Sequence, residues 1–456
     1  MMRNLHTRYD GSMSPTPLFQ LFNRHRYGGR PHQNALEVRQ GKQMMKEEAG
    51  AVLPQVFTEL NYSTGRNWGR AATTFTNDTP TVFSSIASIW GSMMHEQGVY
   101  GVFVFKLDDP TAWLRKDVGP FSNVVTYSMK PEQDPGAKAK MIQQISYGTK
   151  NFEVCRLFGK GFHGSRPLLL TDIACSDSEY RSWTTFDEDK GRFYIWSVQA
   201  NDLDSYEVEF DLSKIDLPPG ALITAEQVSG ALHGEMTHVL NLPADRRIRI
   251  QQAPESAILL TVHQRPLTHK TIDPVTDSMV MQGGNSKRNY GSEAQLEVGR
   301  HSDSDQNKIS FLTFGLPEGE RLVQRAVLEL HGHSQNVHAY DGGFLFRIYA
   351  IDDGEWDEQT LTAENAPNMN RTVSALQKID ENNYPVGHVT AYNKVSSLRI
   401  DVTRAIQEAQ KKHRKALRFT MIRELHWPGE NTDNFSASLS SREAGDNLAP
   451  KLHLWE

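Results

Sequence analysis

The segment LPQVFTELNYSTGRNWGR, residues 53–70, places a carboxylate where enzymes often keep catalytic groups. Its apolar part predicts a β-strand, and Glu59 lies at the end of that strand, before a polar and aromatic loop. In β/α-barrel enzymes the catalytic side chains lie at the carboxyl ends of the strands. Glu59 is therefore a candidate catalytic residue. The alternative is an ordinary solvent-exposed acid at a strand end.

Aromatic, basic and amide side chains follow this predicted strand and the one before it. Tryptophan and tyrosine can stack on the apolar C–H faces of sugar rings, and arginine and histidine bind sulfate or carboxylate groups. The alternatives are packing for the aromatic residues and surface ion pairs for the basic ones. The predicted sugar contacts of this region are His25, Tyr27, Asn61, Arg66 and Trp68.

The C-terminal part of the chain is also rich in basic and aromatic residues. His331 and His333 share one face of a predicted strand, but no third ligand accompanies them at a suitable spacing, so no metal site is predicted. Asp303 and Asp305 could hold a structural calcium, yet the remaining oxygen ligands of a calcium loop are missing. We therefore predict no cofactor. The candidate polysaccharide contacts here are Lys287, Arg288, Tyr290 and Arg347.

Composition limits the class of protein. The chain has 456 residues, a net charge of −6, 38% hydrophobic and 23% charged residues. This balance gives no reason to expect nucleic acid or a membrane surface as partner, and no run of about 18 apolar residues predicts a membrane span. The first residues lack the apolar core of a secretory signal. An extracellular or cell-surface location is thus expected only if a longer gene product carries a signal.

The two cysteines, Cys155 and Cys175, are too few for a disulfide framework. We expect two buried thiols, with a single bridge as the alternative.

Hydrophobic periodicity divides the chain into three parts. Residues 1–150 alternate helical and strand patterns, and the apolar run VYGVFVFKLDD is typical of a strand in a parallel sheet covered by helices. This predicts a partial (β/α)8 barrel. Residues 151–266 and 272–456 contain short alternating strands separated by turn residues, which predict two antiparallel β-sandwich domains. The predicted fold class is multidomain, α/β plus all-β.

Separated motif residues recur from residue 272 onward: Asp277, Asn289-Tyr290-Gly291, Phe311–Phe314, Ser441-Arg442-Glu443 and Pro450-Lys451-Leu452. With these residues the segment resembles the DNRLRE-type β-sandwich, also classed as carbohydrate-binding module family 96. The resemblance implies a lectin-like polysaccharide binder, characterised in that family on acidic algal polysaccharide.

The segments FNRHRYGG, VFTELN and GVFVFKLDD resemble, in order, the C-terminal half of a clan-A glycoside hydrolase of the β-agarase/β-porphyranase type with its companion β-sandwich. The resemblance implies that Glu59 matches the family nucleophile. Retaining glycosidases need a second carboxyl group about 5–5.5 Å from the first. In clan A the acid/base residue follows an earlier barrel strand, upstream of this sequence. The chain alone is therefore predicted not to hydrolyse a glycoside.

Three hypotheses follow. The first is a carbohydrate-binding protein that recognises an acidic or algal polysaccharide through its C-terminal sandwich. The second is an active retaining glycoside hydrolase, completed by further N-terminal sequence, with Glu59 as nucleophile. The third is a structural or adhesion protein whose sandwiches bind other proteins.

Overall fold

The computed structural model describes most of the C-terminal two thirds of the chain and parts of the N-terminal third. The described residues are 12, 22–27, 31–61, 87, 91, 99–104, 125–130, 142–148, 150–162, 167–177, 180–200, 204–301, 306–317, 321–335, 344–352, 354–369, 376–423, 435–445 and 447–456.

The N-terminal region, which we call the head, contains a small parallel sheet. Strands β1, β2 and β3 pair side by side in that order, and both pairings are parallel. Helix α1 connects β1 to β2, while β4 and β5 form a separate antiparallel pair. These elements are β1 (Phe22–Tyr27), α1 (Pro31–Ala49), β2 (Gln55–Asn61), β3 (Val99–Val104), β4 (Val125–Lys130) and β5 (Ile142–Gly148).

Helix α1 ends at a glycine. Gly50 adopts a positive φ of 69°, and its N–H donates to the carbonyl of Lys46 at 3.0 Å. Only glycine adopts this left-handed conformation at no steric cost. The helix lies against the sheet through Gln55, whose side-chain amide donates to the carbonyl of Val38 at 3.0 Å.

The middle domain is an antiparallel sheet covered on both faces. Six strands pair in the order β11-β10-β13-β8-β7-β6, and β9 pairs separately with β12. Its elements are α2 (Lys150–Gly161), β6 (Leu168–Leu169), β7 (Tyr180–Asp187), β8 (Arg192–Gln199), β9 (Tyr206–Asp211), β10 (Leu222–Val228), β11 (His233–Asn241), β12 (Arg247–Gln252) and β13 (Ser256–His263).

Burial along these strands reflects what covers them. Strands β9 and β12 alternate buried and exposed residues because one of their faces meets solvent. Every residue of β13 is buried, since the β9–β12 pair packs on one face of the large sheet and α2 on the other. On the α2 side, Phe158 stacks on Trp196 with ring centroids 5.5 Å apart.

The terminal module is an eleven-stranded antiparallel arrangement around one large core. The strands run in the order β14-β24-β18-β23-β16-β17-β22-β19-β20, while β15 pairs with β17 and β21 with β18. Its elements are β14 (His269–Ile272), β15 (Pro274–Met281), β16 (Gln295–Arg300), β17 (Lys308–Gly315), β18 (Arg325–Ser334), β19 (Phe344–Ile351), β20 (Tyr384–Ala391), β21 (Ser396–Asp401), α3 (Thr403–Lys411), β22 (Ala416–Ile422), β23 (Phe435–Ser440) and β24 (Lys451–Trp455).

The middle domain and the terminal module share a buried interface. Leu222 and Met236 of the middle domain form one apolar cluster with Val327 and Trp455 of the terminal module. Buried hydrogen bonds cross the same interface, for example from the N–H of Thr390 to a carboxylate oxygen of Glu235 at 3.1 Å. The two domains therefore pack as one body through apolar and polar contacts.

The described part of the chain is mostly β-sheet with antiparallel pairing, as predicted for residues after 151. The partial barrel and the domain boundaries stay predictions. Among the described residues no helix is long and apolar enough to span a membrane. Both cysteines are free thiols, and Cys175 is exposed, so the prediction of two buried thiols is wrong for Cys175.

Candidate functional site

The separated motif residues of the terminal module meet at one place. The N–H of Asp277 on β15 donates to a carboxylate oxygen of Glu358 at 3.0 Å, and a carboxylate oxygen of Asp277 accepts from the N–H of Arg442 at 2.6 Å. The Arg442 guanidinium donates to the other Glu358 oxygen at 2.7 Å and to the carbonyl of Val275 at 2.6 Å. We call Asp277, Glu358, Arg442 and Glu443 the clamp.

The Asn-Tyr-Gly turn closes on the clamp. The Asn289 amide donates to the carbonyls of Glu358 at 2.8 Å and Leu361 at 2.9 Å. A Cβ atom at Gly291 would lie 2.1 Å from the carbonyl oxygen of Glu358. Glycine is therefore required at position 291 by this close approach of two backbone segments.

Three carboxyl groups of the clamp lie together and set its electrostatics. Atoms of Asp277, Glu358 and Glu443 lie within 4.8 Å of one another, a spacing that could hold a metal ion. Arg442 already supplies positive charge, since it pairs with Glu358 at 2.7 Å and Glu443 at 3.2 Å. Burial raises the pKa of Asp277 to about 7, and the nearby charges of Glu443 and Glu358 add to the rise. The three carboxyl groups and Arg442 therefore hold separate segments of the chain together.

A groove of about 440 Å³ lies beside the clamp, lined by Thr276 and residues 355–359. Trp356 is partly exposed there and meets Phe311 edge-on, with ring centroids 6.1 Å apart. Glu355, Asp357 and Gln359 are exposed around it. An indole ring beside carboxylates and an amide offers an apolar face together with acceptors and donors for hydroxyl groups.

The sequence interpretation missed this groove. Apart from Thr276 on β15, its residues follow the end of β19 and belong to no regular strand, so hydrophobic periodicity gave no signal. The available signal was compositional, because a single tryptophan stands among acids in DDGEWDEQ.

The four predicted contacts of the terminal module lie in different environments. Lys287 and Arg288 are exposed in the loop before the Asn-Tyr-Gly turn, and Arg288 lies over the ring of Tyr290 at 4.7 Å. Tyr290 is only 5% exposed and packs in the core. Arg347 is 4% exposed and donates to His388 at 3.1 Å. Burial of Tyr290 and Arg347 favours packing roles over polysaccharide contact, whereas Lys287 and Arg288 are exposed and Arg288 pairs with Glu293 at 3.1 Å.

For the predicted site residues of the head, the structure describes some backbone positions but no side chains. In the parallel pairing of β1 with β2, His25 lies opposite Glu59 and Tyr27 opposite Asn61. The side chains of these four residues lie outside the described part of the structure, as do Arg66 and Trp68 entirely. Their predicted sugar contacts, and the nucleophile role of Glu59, stay predictions.

Neither the histidine pair nor the calcium candidate is among the described groups with metal-ligand spacing, and the calcium candidate falls outside the described residues. His331 lies 3.8 Å from Glu329. Within the described residues, the three carboxyl groups of the clamp are the one cluster whose spacing could hold a metal ion. Asp303 and Asp305 lie outside the described residues.

Comparison with known families supports the interpretation of the terminal module. Residues 268–456 match the family described as Carbohydrate-binding module family 96. This confirms the resemblance predicted from the motif residues. No curated protein matches the chain by sequence.

Solved structures similar to the chain include glycoside hydrolases. One is a β-porphyranase of glycoside hydrolase family 86 from the human gut bacterium Bacteroides plebeius, with 13% identity, 96% of this chain and 63% of that chain covered, and a TM-score of 0.38. Another is BuGH86 in complex with neoagarooctaose, with 10% identity, 96% and 59% coverage, and a TM-score of 0.36. A third is a family 30 endoxylanase from Clostridium papyrosolvens, with 9% identity, 57% and 60% coverage, and a TM-score of 0.36. The chain spans less than two thirds of each of these proteins, and similarity at this level carries no inference about activity.

Proposed function

We propose that this protein binds an acidic polysaccharide through its terminal module. The observation that carries the proposal is the match of residues 268–456 to carbohydrate-binding module family 96, together with the convergence of its motif residues beside a groove. A polysaccharide ligand implies that the protein acts outside the cell or at its surface.

The groove offers both kinds of contact that sugars need. The ring of Trp356 would stack on a pyranose face, while Glu355 and Asp357 would accept hydrogen bonds from hydroxyl groups. The clamp fixes the wall of this groove, because Glu358 is tied to Arg442 at 2.7 Å and to the N–H of Asp277 at 3.0 Å. A rigid wall reduces the entropy lost on binding.

Two exposed cations would bind the anionic groups of an acidic ligand, and one of them, Arg288, also pairs with Glu293 at 3.1 Å. Lys287 and Arg288 directly precede Asn289, whose side chain is bonded to the backbone of Glu358. They therefore lie within two residues of a side chain that bonds to the groove residue Glu358. Charges at the edge of a binding surface mainly raise the association rate and make binding depend on salt.

Affinity electrophoresis of the full chain in gels containing alginate, porphyran, agar or cellulose tests the proposal. We expect retardation in the acidic gels, with weaker retardation for Trp356→Ala and for the double variant Lys287→Gln/Arg288→Gln. The double variant Lys214→Gln/Lys411→Gln removes the same charge from exposed sites elsewhere and serves as control. Unretarded migration in every gel, with capture of a protein partner instead, would favour the adhesion hypothesis.

A second candidate function is glycoside hydrolysis, with Glu59 as nucleophile of a barrel completed by further sequence. The observation in its favour is the parallel order β1-β2-β3 with α1 between the first two strands, which aligns Glu59 with His25 at one sheet edge. Reducing-end assays of the chain on agar and porphyran test it. We expect no activity from this chain alone, because a single carboxylate cannot serve as both nucleophile and acid/base.

A further inference from the structure

A cleft of about 270 Å³ lies between the middle domain and the terminal module. The middle domain supplies residues from the end of α2, from the β7–β8 turn and from β13, and the terminal module supplies β18, β21 and the start of α3. The charged residues that line it are Lys160, Lys190, Arg192, Arg325, Asp401 and Arg404.

Carboxylates neutralise the cations at the back of this cleft. Glu226 accepts from Lys160 at 2.7 Å and Arg156 at 2.8 Å, and Asp401 accepts from Arg325 at 2.8 Å and Lys160 at 3.1 Å. Glu153 completes the set, at 2.6 Å from Arg156. Three cations thus face three carboxylates.

The cations at the mouth of the cleft lack such partners. Arg192 donates to the carbonyl of Gln324 at 2.7 Å, and Arg404 lies over the ring of Tyr384 at 5.8 Å. Neither forms an ion pair with a carboxylate among the described residues. Lys190 is 53% exposed and lies 3.8 Å from Asp187, a contact that solvent weakens. The mouth therefore carries excess positive charge.

Buried donors in the cleft also lack partners. Thr261 is 2% exposed and Arg325 is 4% exposed, and both line the cleft. The Thr261 hydroxyl and the Nε of Arg325 have no hydrogen-bond partner among the described residues. Such buried unpaired groups are uncommon and call for an explanation, and a ligand that supplies an acceptor is one.

The pKa of a buried histidine is lowered by the same positive charges. His263 lies two residues after Thr261 on β13, so both side chains point to the same face of the strand. Burial lowers the pKa of His263 well below its usual value, and the charges of Arg192 and Arg325 lower it further.

We propose that this cleft binds an oxyanion, either the sulfate or carboxylate group of an acidic saccharide or the free ion. Guanidinium groups present planar donors that match these anions, and Thr261 adds a hydroxyl donor. The ligand would contact both domains and stabilise their interface. This site is separate from the groove of the terminal module and does not require the groove to bind sugar.

Thermal unfolding of the full chain in sodium sulfate and in sodium chloride of equal ionic strength tests the site. We expect sulfate to raise the Tm of the wild type, because a ligand that binds only the folded state stabilises it. The double variant Lys190→Gln/Arg404→Gln should lose this shift, whereas Lys214→Gln/Arg249→Gln, which removes two exposed charges outside the cleft, should keep it. An equal shift in all three proteins would show that sulfate acts by exclusion from the surface, and would overturn the proposal.

Thr261→Val gives a second, independent readout. Valine has nearly the shape of threonine but no unpaired hydroxyl, so the variant should unfold at a higher Tm than the wild type without sulfate. By calorimetric titration it should bind sulfate several-fold more weakly, since it lacks one donor. Unchanged sulfate affinity would overturn the assigned role of Thr261.

Competition identifies the source of the anion. A sulfated galactan oligosaccharide, an oligouronate and a neutral oligosaccharide are each titrated against bound sulfate. Displacement by a charged but not the neutral saccharide assigns the cleft to glycan, and sulfate binding without displacement assigns it to the free ion. Displacement by the neutral saccharide as efficiently as by the charged ones would overturn recognition of the anion.

Discussion

The cleft and the groove are two polar concavities of opposite charge, built in different ways. The groove lies within the terminal module, carries exposed acids, and is held by a clamp whose residues belong to one domain. The cleft exists only where two domains meet, and its lining is mostly basic. In the cleft, ion pairs neutralise the cations at the back, so the charge at the mouth comes from the cations for which the structure describes no carboxylate partner. Both sites have an arginine–glutamate pair at the back, which is buried in the cleft and has an exposed arginine in the groove, but among the described residues only the cleft has arginines without a carboxylate partner in front.

The largest effect should come from the back of the cleft. Glu226 is 2% exposed and pairs with Lys160, Arg156 and Arg325. Glu226→Gln leaves buried cations without their counter-ion and should cost about 3–5 kcal/mol in the free energy of unfolding, measured with urea.

Its control is Glu209→Gln, whose carboxylate pairs with Arg249 at 2.8 Å on a surface strand. An exposed pair is worth about 1 kcal/mol or less. Burial opposes ionisation of Glu226, yet its three cations outweigh burial and lower its pKa to about 2. The advantage of the wild type over Glu226→Gln should therefore be complete above the unfolded pKa, near pH 4.5, and be lost as the pH falls toward 2. Equal losses for the two variants would contradict the buried network.

The clamp should respond to pH in the opposite direction. The pKa of Asp277 in the folded state is about 7, raised chiefly by burial well above its ordinary value. The folded state therefore holds a proton that the unfolded state has released, and stability falls as the pH rises from about 4 to 7, by about 3 kcal/mol. Asp277→Asn should flatten this part of the pH profile of the urea midpoint. Asp273→Asn, at an exposed carboxylate, is the control, and an unaltered slope in Asp277→Asn would refute the assignment.

The next largest loss of stability is expected where two backbone segments approach each other closely in the clamp. Gly291→Ala places a Cβ atom 2.1 Å from the carbonyl oxygen of Glu358, and the shift needed to relieve it should cost about 1–3 kcal/mol. Gly284→Ala lies in the preceding loop with no atom within 4 Å of its Cβ and is the matched control. Calorimetric Tm values should separate the two. We also expect weaker retention of Gly291→Ala in polysaccharide gels, because the groove wall moves.

The smallest expected change in stability comes from a substitution in the cleft. Without ligand, Thr261→Val removes a buried hydroxyl that has no partner among the described residues, and should stabilise the protein by about 1 kcal/mol. Urea unfolding in low-salt buffer measures this gain. A loss of stability would show that the hydroxyl has a partner in solution, such as a bound water.

Local structure was readable from the sequence where one local signal dominated. The short alternating strands predicted for residues 151–266 include β9 and β12, whose residues alternate between buried and exposed. Burial of single polar residues was not readable. Arg347 was predicted to contact polysaccharide, and every residue of its strand β19 is buried, because both faces of that strand are covered. A strand without alternation gives no sign of which side its arginine faces.

The sequence predicted several residues of the candidate site, but not where in the fold they meet. Asp277, the Asn-Tyr-Gly turn and Ser441-Arg442-Glu443 were singled out as motif elements, whereas Glu358, which joins them, was not. Trp356 was missed because it lies in an irregular segment. Lys287 and Arg288 were predicted as contacts and are exposed, so their role awaits the gel experiment.

By itself the sequence determined many of the strands and the similarity of the terminal module to carbohydrate-binding module family 96, because these depend on neighbouring residues and on short motifs. Only the tertiary structure decided the charge of the two concavities. Lys160 and Asp401 are 241 residues apart in sequence, yet their charged atoms lie 3.1 Å apart. Electrostatic energy depends on distance and on burial, and the order of residues along the chain encodes neither directly.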